Sequence, residues 1–166
     1  ANTVDHISHG RLILGIGAGW FEKDYDEFGY EFGTAGSRLR DLRESLPIIK
    51  EHMTKEIPAP VRNPIPIMIG GGGEKVTLKI TAEYADLWNG FGPPETWAHK
   101  NSVLDNWCET VGRDPAEIER TVSLNRETDI PSNLDAYAEA GATHFIVGMP
   151  VPTEPDKIEA LVSWRD

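Results

Sequence analysis

The feature that most constrains this chain is a pair of glycine clusters, each placed directly after a short apolar run. Arg11-Leu-Ile-Leu-Gly-Ile-Gly17 runs into Gly15-Ile-Gly17-Ala-Gly19-Trp20, and Ile65-Pro-Ile-Met-Ile69 runs into Gly70-Gly-Gly-Gly73. Continuous apolar runs of this length suit strands buried on both faces. Glycine just past such a strand is where an α/β protein turns toward a helix and lets ligands approach bare backbone.

The rest of the sequence continues the alternation. Ser37 opens a helical pattern with Leu39, Leu42, Leu46 and Ile49 on one face. Pro47 lies inside it and, lacking an amide donor, is expected to bend or shorten the helix. A helix-like stretch runs from Glu74 to about Tyr84, and Ala85-Asp-Leu-Trp-Asn89 reads as a short strand. Trp97, Asn101, Leu104, Cys108 and Val111 share one face of the next helix. Asp114-Pro-Ala-Glu117 carries a helix-start signature, with proline at the first helical position. Thr121-Val-Ser-Leu-Asn125 is a weaker strand, and Ser132 or Asn133 caps a helix that Gly141 stops. His144-Phe-Ile-Val147 is the last strand, and Thr153 to Arg165 a final amphipathic helix. Strands alternating with helices predict an α/β fold with about five parallel strands in a single domain over residues 1–166. An open doubly wound sheet and a barrel both satisfy that count.

Charge and cysteine content remove several classes of function. The 27 acidic and 16 basic residues leave a net charge of -11, which argues against nucleic-acid backbone binding and against an anionic membrane surface. A phosphorylated cofactor remains compatible, because backbone amides hold phosphate without net positive charge. Cys108, the one cysteine, allows no intrachain disulfide and reads as a half-buried small apolar residue. No stretch approaches the ~20 apolar residues of a membrane span, and the N-terminal residues show no secretory pattern. A cytoplasmic protein is the expectation.

The glycine clusters carry the chemical content. A dinucleotide fingerprint after Gly15 and Gly17 would need glycine where Trp20 stands. Two readings stay open there: a flat ligand stacked on Trp20 beside a close-approach turn, or a tight turn with Trp20 simply packed. At Gly70 to Gly73 the amides ahead of a helix N-terminus can face an anion. Glu74 and Val76 flank Lys75, so the loop is not of the Walker type. A flexible turn is the alternative, and the entropy spent on four glycines favours a phosphate cradle. Replacing Gly71 and Gly72 with bulkier residues is expected to weaken cofactor binding and leave the fold intact. His6 and His9 lack further metal ligands nearby, and Glu22-Lys-Asp-Tyr-Asp-Glu27 reads as a solvated face.

Taken in order, these segments resemble the luciferase-like monooxygenase family, in particular its branch dependent on coenzyme F420. The resemblance is carried by Asp5-His-Ile-Ser8-His-Gly-Arg11, Leu14-Gly-Ile-Gly17-Ala-Gly19-Trp20-Phe-Glu22 and Arg38-Leu39-Arg-Asp-Leu42-Arg-Glu44. It continues through Pro66-Ile-Met-Ile-Gly70-Gly-Gly-Gly73-Glu74, Ala82-Glu-Tyr-Ala85-Asp86-Leu-Trp88-Asn89, Gly112-Arg-Asp-Pro115 and Ala140-Gly141-Ala-Thr-His144-Phe-Ile-Val147. It implies a (β/α)8 TIM-barrel-like fold, here incomplete, with the cofactor across the C-terminal mouth. It further implies that Gly17, Gly19 and Trp20 lie near the cofactor, that Gly70, Gly71, Gly72 and Gly73 meet its phosphate, and that Trp88 and Asn89 line the same mouth.

The function implied is an oxidoreductase passing a hydride between coenzyme F420 and a small organic substrate, without an assignable catalytic acid or base. The alternatives are an FMN-dependent monooxygenase, and a non-catalytic partial barrel that holds a flavin or deazaflavin. Five strands cannot close an eight-stranded barrel, so an edge is left to cover, and a homo-oligomer, in the simplest case a dimer, is the expected partner arrangement.

Overall fold

The computed structural model describes residues 1–124, 130–149, 151–152 and 155–165. The strands are β1 (Leu14–Ile16), β2 (Ile67–Gly70), β3 (Leu87–Gly90), β4 (Glu119–Leu124) and β5 (His144–Val147). They form one parallel sheet whose spatial order is the order of the sequence. That order separates the two architectures left open by the sequence. A doubly wound sheet reverses its direction of growth at a switch point. Steady growth along one edge with right-handed crossovers instead puts every helix on the same face. The sheet is therefore an arc of a TIM-barrel-like fold, five strands wide and not closed.

Seven helices accompany the described strands: α1 (Asn2–Ile7), α2 (Glu22–Phe28), α3 (Ala35–Lys55), α4 (Thr77–Tyr84), α5 (Pro94–Val111), α6 (Ile130–Glu139) and α7 (Pro155–Arg165). Leu42 and Leu46 of α3 pack with Ile67 and Ile69 of β2 and Ile80 of α4. Further along, Trp88, Val122 and Leu124 meet Trp97, Leu104 and Cys108 of α5 and Leu134 and Tyr137 of α6. Register then fixes the other face. Met68 pairs with Leu87, Asn89 with Thr121, and Ser123 with Ile146, so these side chains point away from the helices, into the arc.

Several local expectations are revised. α3 runs unbroken through Pro47, because Leu42, Leu46 and Met53 are buried on either side of it and their packing outweighs one lost hydrogen bond. It starts two residues earlier than Ser37, with Thr34 as cap: Ser37 N donates to Thr34 Oγ1 at 3.1 Å and Thr34 N to Ser37 Oγ at 2.9 Å. α4 begins at Thr77 rather than Glu74, the preceding residues forming a turn. Asp114 caps only a 3-10 turn, Pro115–Glu117, with Ala116 N donating to its Oδ1 at 2.9 Å. The chain then enters β4 at once, drawn by Glu119 N donating to Asp86 O at 2.9 Å and by burial of Ile118.

Cys108 is fully buried, not half-buried. α1 and α2 had no counterpart in the sequence reading; α2 holds the acidic stretch and buries no residue. In α7 Leu161 and Trp164 are half-buried while Ile158 and Val162 stay exposed, so its apolar face is only partly covered. Asn125, Thr153 and the side chains of Ser132 and Asn133 lie outside the described residues.

Candidate functional site

The C-terminal ends of β1, β2 and β3 come together at one rim of the arc. A Cβ on Gly17, just past β1, would lie 3.8 Å from the carbonyl oxygen of Gly70, so the two glycine clusters are neighbours. Gly70 is the register partner of Asn89, and Gly71 N donates to Asn89 O at 3.2 Å. Gly71 has φ of 129° and Gly19 has φ of 67°, both in the left-handed region that favours glycine. The Gly19 turn also presses against the Tyr25 hydroxyl, leaving no room for a Cβ.

Among the described residues, the backbone amides of Gly72, Gly73, Glu74, Lys75 and Val76 have no acceptor. They precede α4, which adds the positive end of the helix dipole, while the Leu78 and Ile80 amides of its first turn already donate to Gly73 O and Val76 O. Free backbone amides of this kind can accept an anion even in a chain of strongly negative charge. The fit to a cofactor phosphate rests on them.

The predicted residues divide by geometry. Gly17, Gly70, Gly71 and Asn89 meet at the rim. Trp20 is 83% exposed and makes only an edge contact with Phe21, centroids 5.4 Å apart, so its face is free for stacking. The Trp88 ring is buried in the core, stacked on Trp97 at 5.2 Å, and does not itself line the rim. Its indole Nε1 instead donates to Gly71 O at 2.8 Å, which ties the glycine loop to β3. Asn89 Nδ2 donates to Ser123 Oγ at 3.0 Å, and Thr121 Oγ1 donates to Asn89 Oδ1 at 3.0 Å. The inner face thus carries a hydrogen-bonded polar ladder across β3 and β4.

Other residues at the rim gave no local signal. Phe91, directly after β3, is 59% exposed. A cleft of about 560 Å3 beside Gly17 and Gly19 is lined by Tyr25, Phe32 and Arg38. The Arg38 guanidinium lies 3.8 Å from the Phe32 ring centroid, and its buried Nε has no partner. These contacts cross loops, and only Arg38 stood in a segment that carried the family resemblance. A larger cleft, about 800 Å3, opens at the opposite, N-terminal end of the strands. There Arg120 is committed to Asn101, Asp105 and the carbonyls of Pro115 and Ile118, a structural network. In barrels of this kind chemistry sits at the C-terminal end, which favours the glycine rim.

Few groups have shifted acidity. Hydrogen bonding and attraction from Lys100 hold the Glu74 carboxyl below its ordinary value, and His99 adds to the effect. Burial raises the Cys108 thiol, which makes it a poor nucleophile. Burial also raises Tyr137, whose hydroxyl donates to Gly92 O at 2.7 Å.

Comparison with known proteins agrees with this architecture. The family model for luciferase-like monooxygenases matches residues 1–159. The chain belongs to the luciferase-like monooxygenase family. Uncharacterized protein Rv0953c of Mycobacterium tuberculosis is 27% identical over 161 residues, covering 89% of this chain and 56% of that protein. Uncharacterized protein Rv0940c of the same organism is 28% identical over 167 residues, covering 92% and 56%. The chain spans little more than half the length of these curated relatives. Coenzyme F420 dependent tetrahydromethanopterin reductase from Methanopyrus kandleri shares the fold with a TM-score of 0.68 and 16% identity, over 96% of this chain and 74% of that one. An F420-dependent secondary alcohol dehydrogenase, in complex with an F420-acetone adduct, gives a TM-score of 0.72 and 14% identity over 89% and 66%. Among the described residues no helix is long and apolar enough to cross a membrane.

Proposed function

We propose that this chain forms the cofactor-holding side of an oxidoreductase that passes a hydride between coenzyme F420 and a small organic substrate. The observation that carries the reading is the run of unpartnered amides from Gly72 to Val76, set beside the Gly17 turn at the C-terminal rim. Family membership and the F420-dependent enzymes that share the fold support it. When bound, the deazaflavin supplies a two-electron hydride donor and acceptor at its C5.

The residues of this chain do the rest. The amides of Gly72 and Gly73 bind the phosphate, Trp20 offers a face for the ring system, and the Asn89 amide, held by Thr121 and Ser123, offers polar contacts to the ring edge. Gly15 and Gly70, with no atom near their Cβ positions, keep the inner face open for a flat ligand. The protein's contribution is orientation and exclusion of water, with no catalytic acid or base assigned.

The test is a fluorescence titration of the purified chain with F420 and with FMN. Saturable binding of F420 in preference to FMN, followed by its reduction when an alcohol or other hydride donor is added, is the expected result. Preference for FMN would move the protein to the flavin branch. Binding without redox change would make it a carrier, and binding of neither would remove the cofactor reading.

A further inference from the structure

We propose that α5 clamps the glycine loop through Glu74, and that this clamp is what makes the site select phosphorylated over unphosphorylated cofactor; the proposal rests on the cofactor reading above. Glu74 is the first residue after the four glycines. Its carboxylate is ion-paired with Lys100 and lies 3.2 Å from His99 Nε2. Its carbonyl accepts a hydrogen bond from Trp107 Nε1 at 2.6 Å. Three side chains of one helix therefore grip a single residue by its backbone and by its side chain. The stem of Lys100 also passes 3.8 Å from the position a Cβ would take on Gly72, walling the loop on that side.

The other end of the loop is fixed separately. Gly71 donates its amide to Asn89 O, and its carbonyl accepts from Trp88 Nε1. Between the two anchors lie Gly72 and Gly73, whose amides have no acceptor among the described residues. An unrestrained glycine run samples many conformations, and fixing it on binding would subtract from affinity residue by residue. Anchors at both ends order the amides beforehand. The clamp also settles an electrostatic conflict, since a bare carboxylate next to the cradle would repel phosphate. Lys100 and His99 hold that carboxylate and turn it into an anchor.

The test compares FMN with riboflavin, and F420 with the unphosphorylated ribityl deazaflavin, on the unsubstituted chain and on Glu74→Gln, Lys100→Met and the double variant, each checked for fold by circular dichroism. Each single change should raise Kd for the phosphorylated ligand roughly five-fold, as expected for a partly exposed ion pair with a backbone anchor. The unphosphorylated ligand should be unaffected, the double variant should be no weaker than the weaker single one, and Lys100→Arg should restore binding. Tighter FMN or F420 binding by Glu74→Gln would overturn the clamp, because Lys100 would then be a direct phosphate ligand that Glu74 merely occupies. Equal losses for phosphorylated and unphosphorylated ligands would overturn it too, while leaving the cofactor reading standing. No binding of any of the four ligands to the unsubstituted chain would overturn both.

Discussion

Gly70 and Gly71 are adjacent and differ sharply in what they tolerate. At Gly71 the φ of 129° strains any side chain, and a Cβ would sit 3.0 Å from Thr77 Cγ2. Gly71→Ala should therefore cost about 1–3 kcal/mol in urea unfolding, a loss of stability within which the protein can still fold. A Cβ on Gly70 meets nothing within 4 Å and shares the inner face with Asn89. Gly70→Val should unfold within about 0.5 kcal/mol of the parent and yet weaken cofactor binding roughly ten-fold by filling the mouth. Unchanged affinity would mean the cofactor does not cross this strand end. At Cys108 burial gives another readout: an aromatic disulfide reagent should fail to label the native protein and label it at the rate the core opens. Positions of the glycines were legible in the sequence, but their dihedrals were not, because φ at Gly71 depends on where Asn89 O and Trp88 Nε1 hold its peptide groups.

Pro47 is the clearest case of an element held by packing against its own local preference. Pro47→Ala supplies an amide toward the Arg43 carbonyl and should stabilise the protein by about 1–3 kcal/mol in chemical denaturation. Thr34→Ala removes the cap of the same helix and should cost about 1 kcal/mol. The turn into α4 has a pH signature. Glu74 is held below its ordinary value of 4.5. Its pairing is then fully present above that value and is lost only as pH falls through the lower, folded one. Loop order, followed by amide exchange, should not change between neutral pH and pH values just above 5.

What made an element legible was an apolar run or period rather than its share of core. β2 and β5 announced themselves by apolar runs although β5 is only half-buried, and β4 was the weaker reading although most of it is buried. α2 buries no side chain and left no apolar period to read. The Asp114-Pro signature was real, but the same cap serves a 3-10 turn, and the β3–β4 ladder decided the outcome. The candidate site divided likewise. Its glycines follow strands and were visible locally, while Lys100 and Trp107 reach Glu74 across 26 and 33 residues of sequence.

For the whole molecule, the open arc sets the main expectation. β1 and β5 each pair on one side only, and unpaired strand edges invite association. We propose that the chain self-associates, with a dimer the simplest product, and sedimentation equilibrium should show a mass above that of one chain. A monomer at every concentration tested would mean that side chains and loops at the two edges suffice to protect them. The arc also has an optical consequence. Trp88 and Trp97 are buried and Trp107 and Trp164 half-buried, whereas Trp20, the residue after Gly19, stands 83% exposed. A soluble quencher therefore has one tryptophan to find first, the residue that follows the Gly19 turn. The protein carries its own lamp, and whatever settles on that indole will dim it without any label being added.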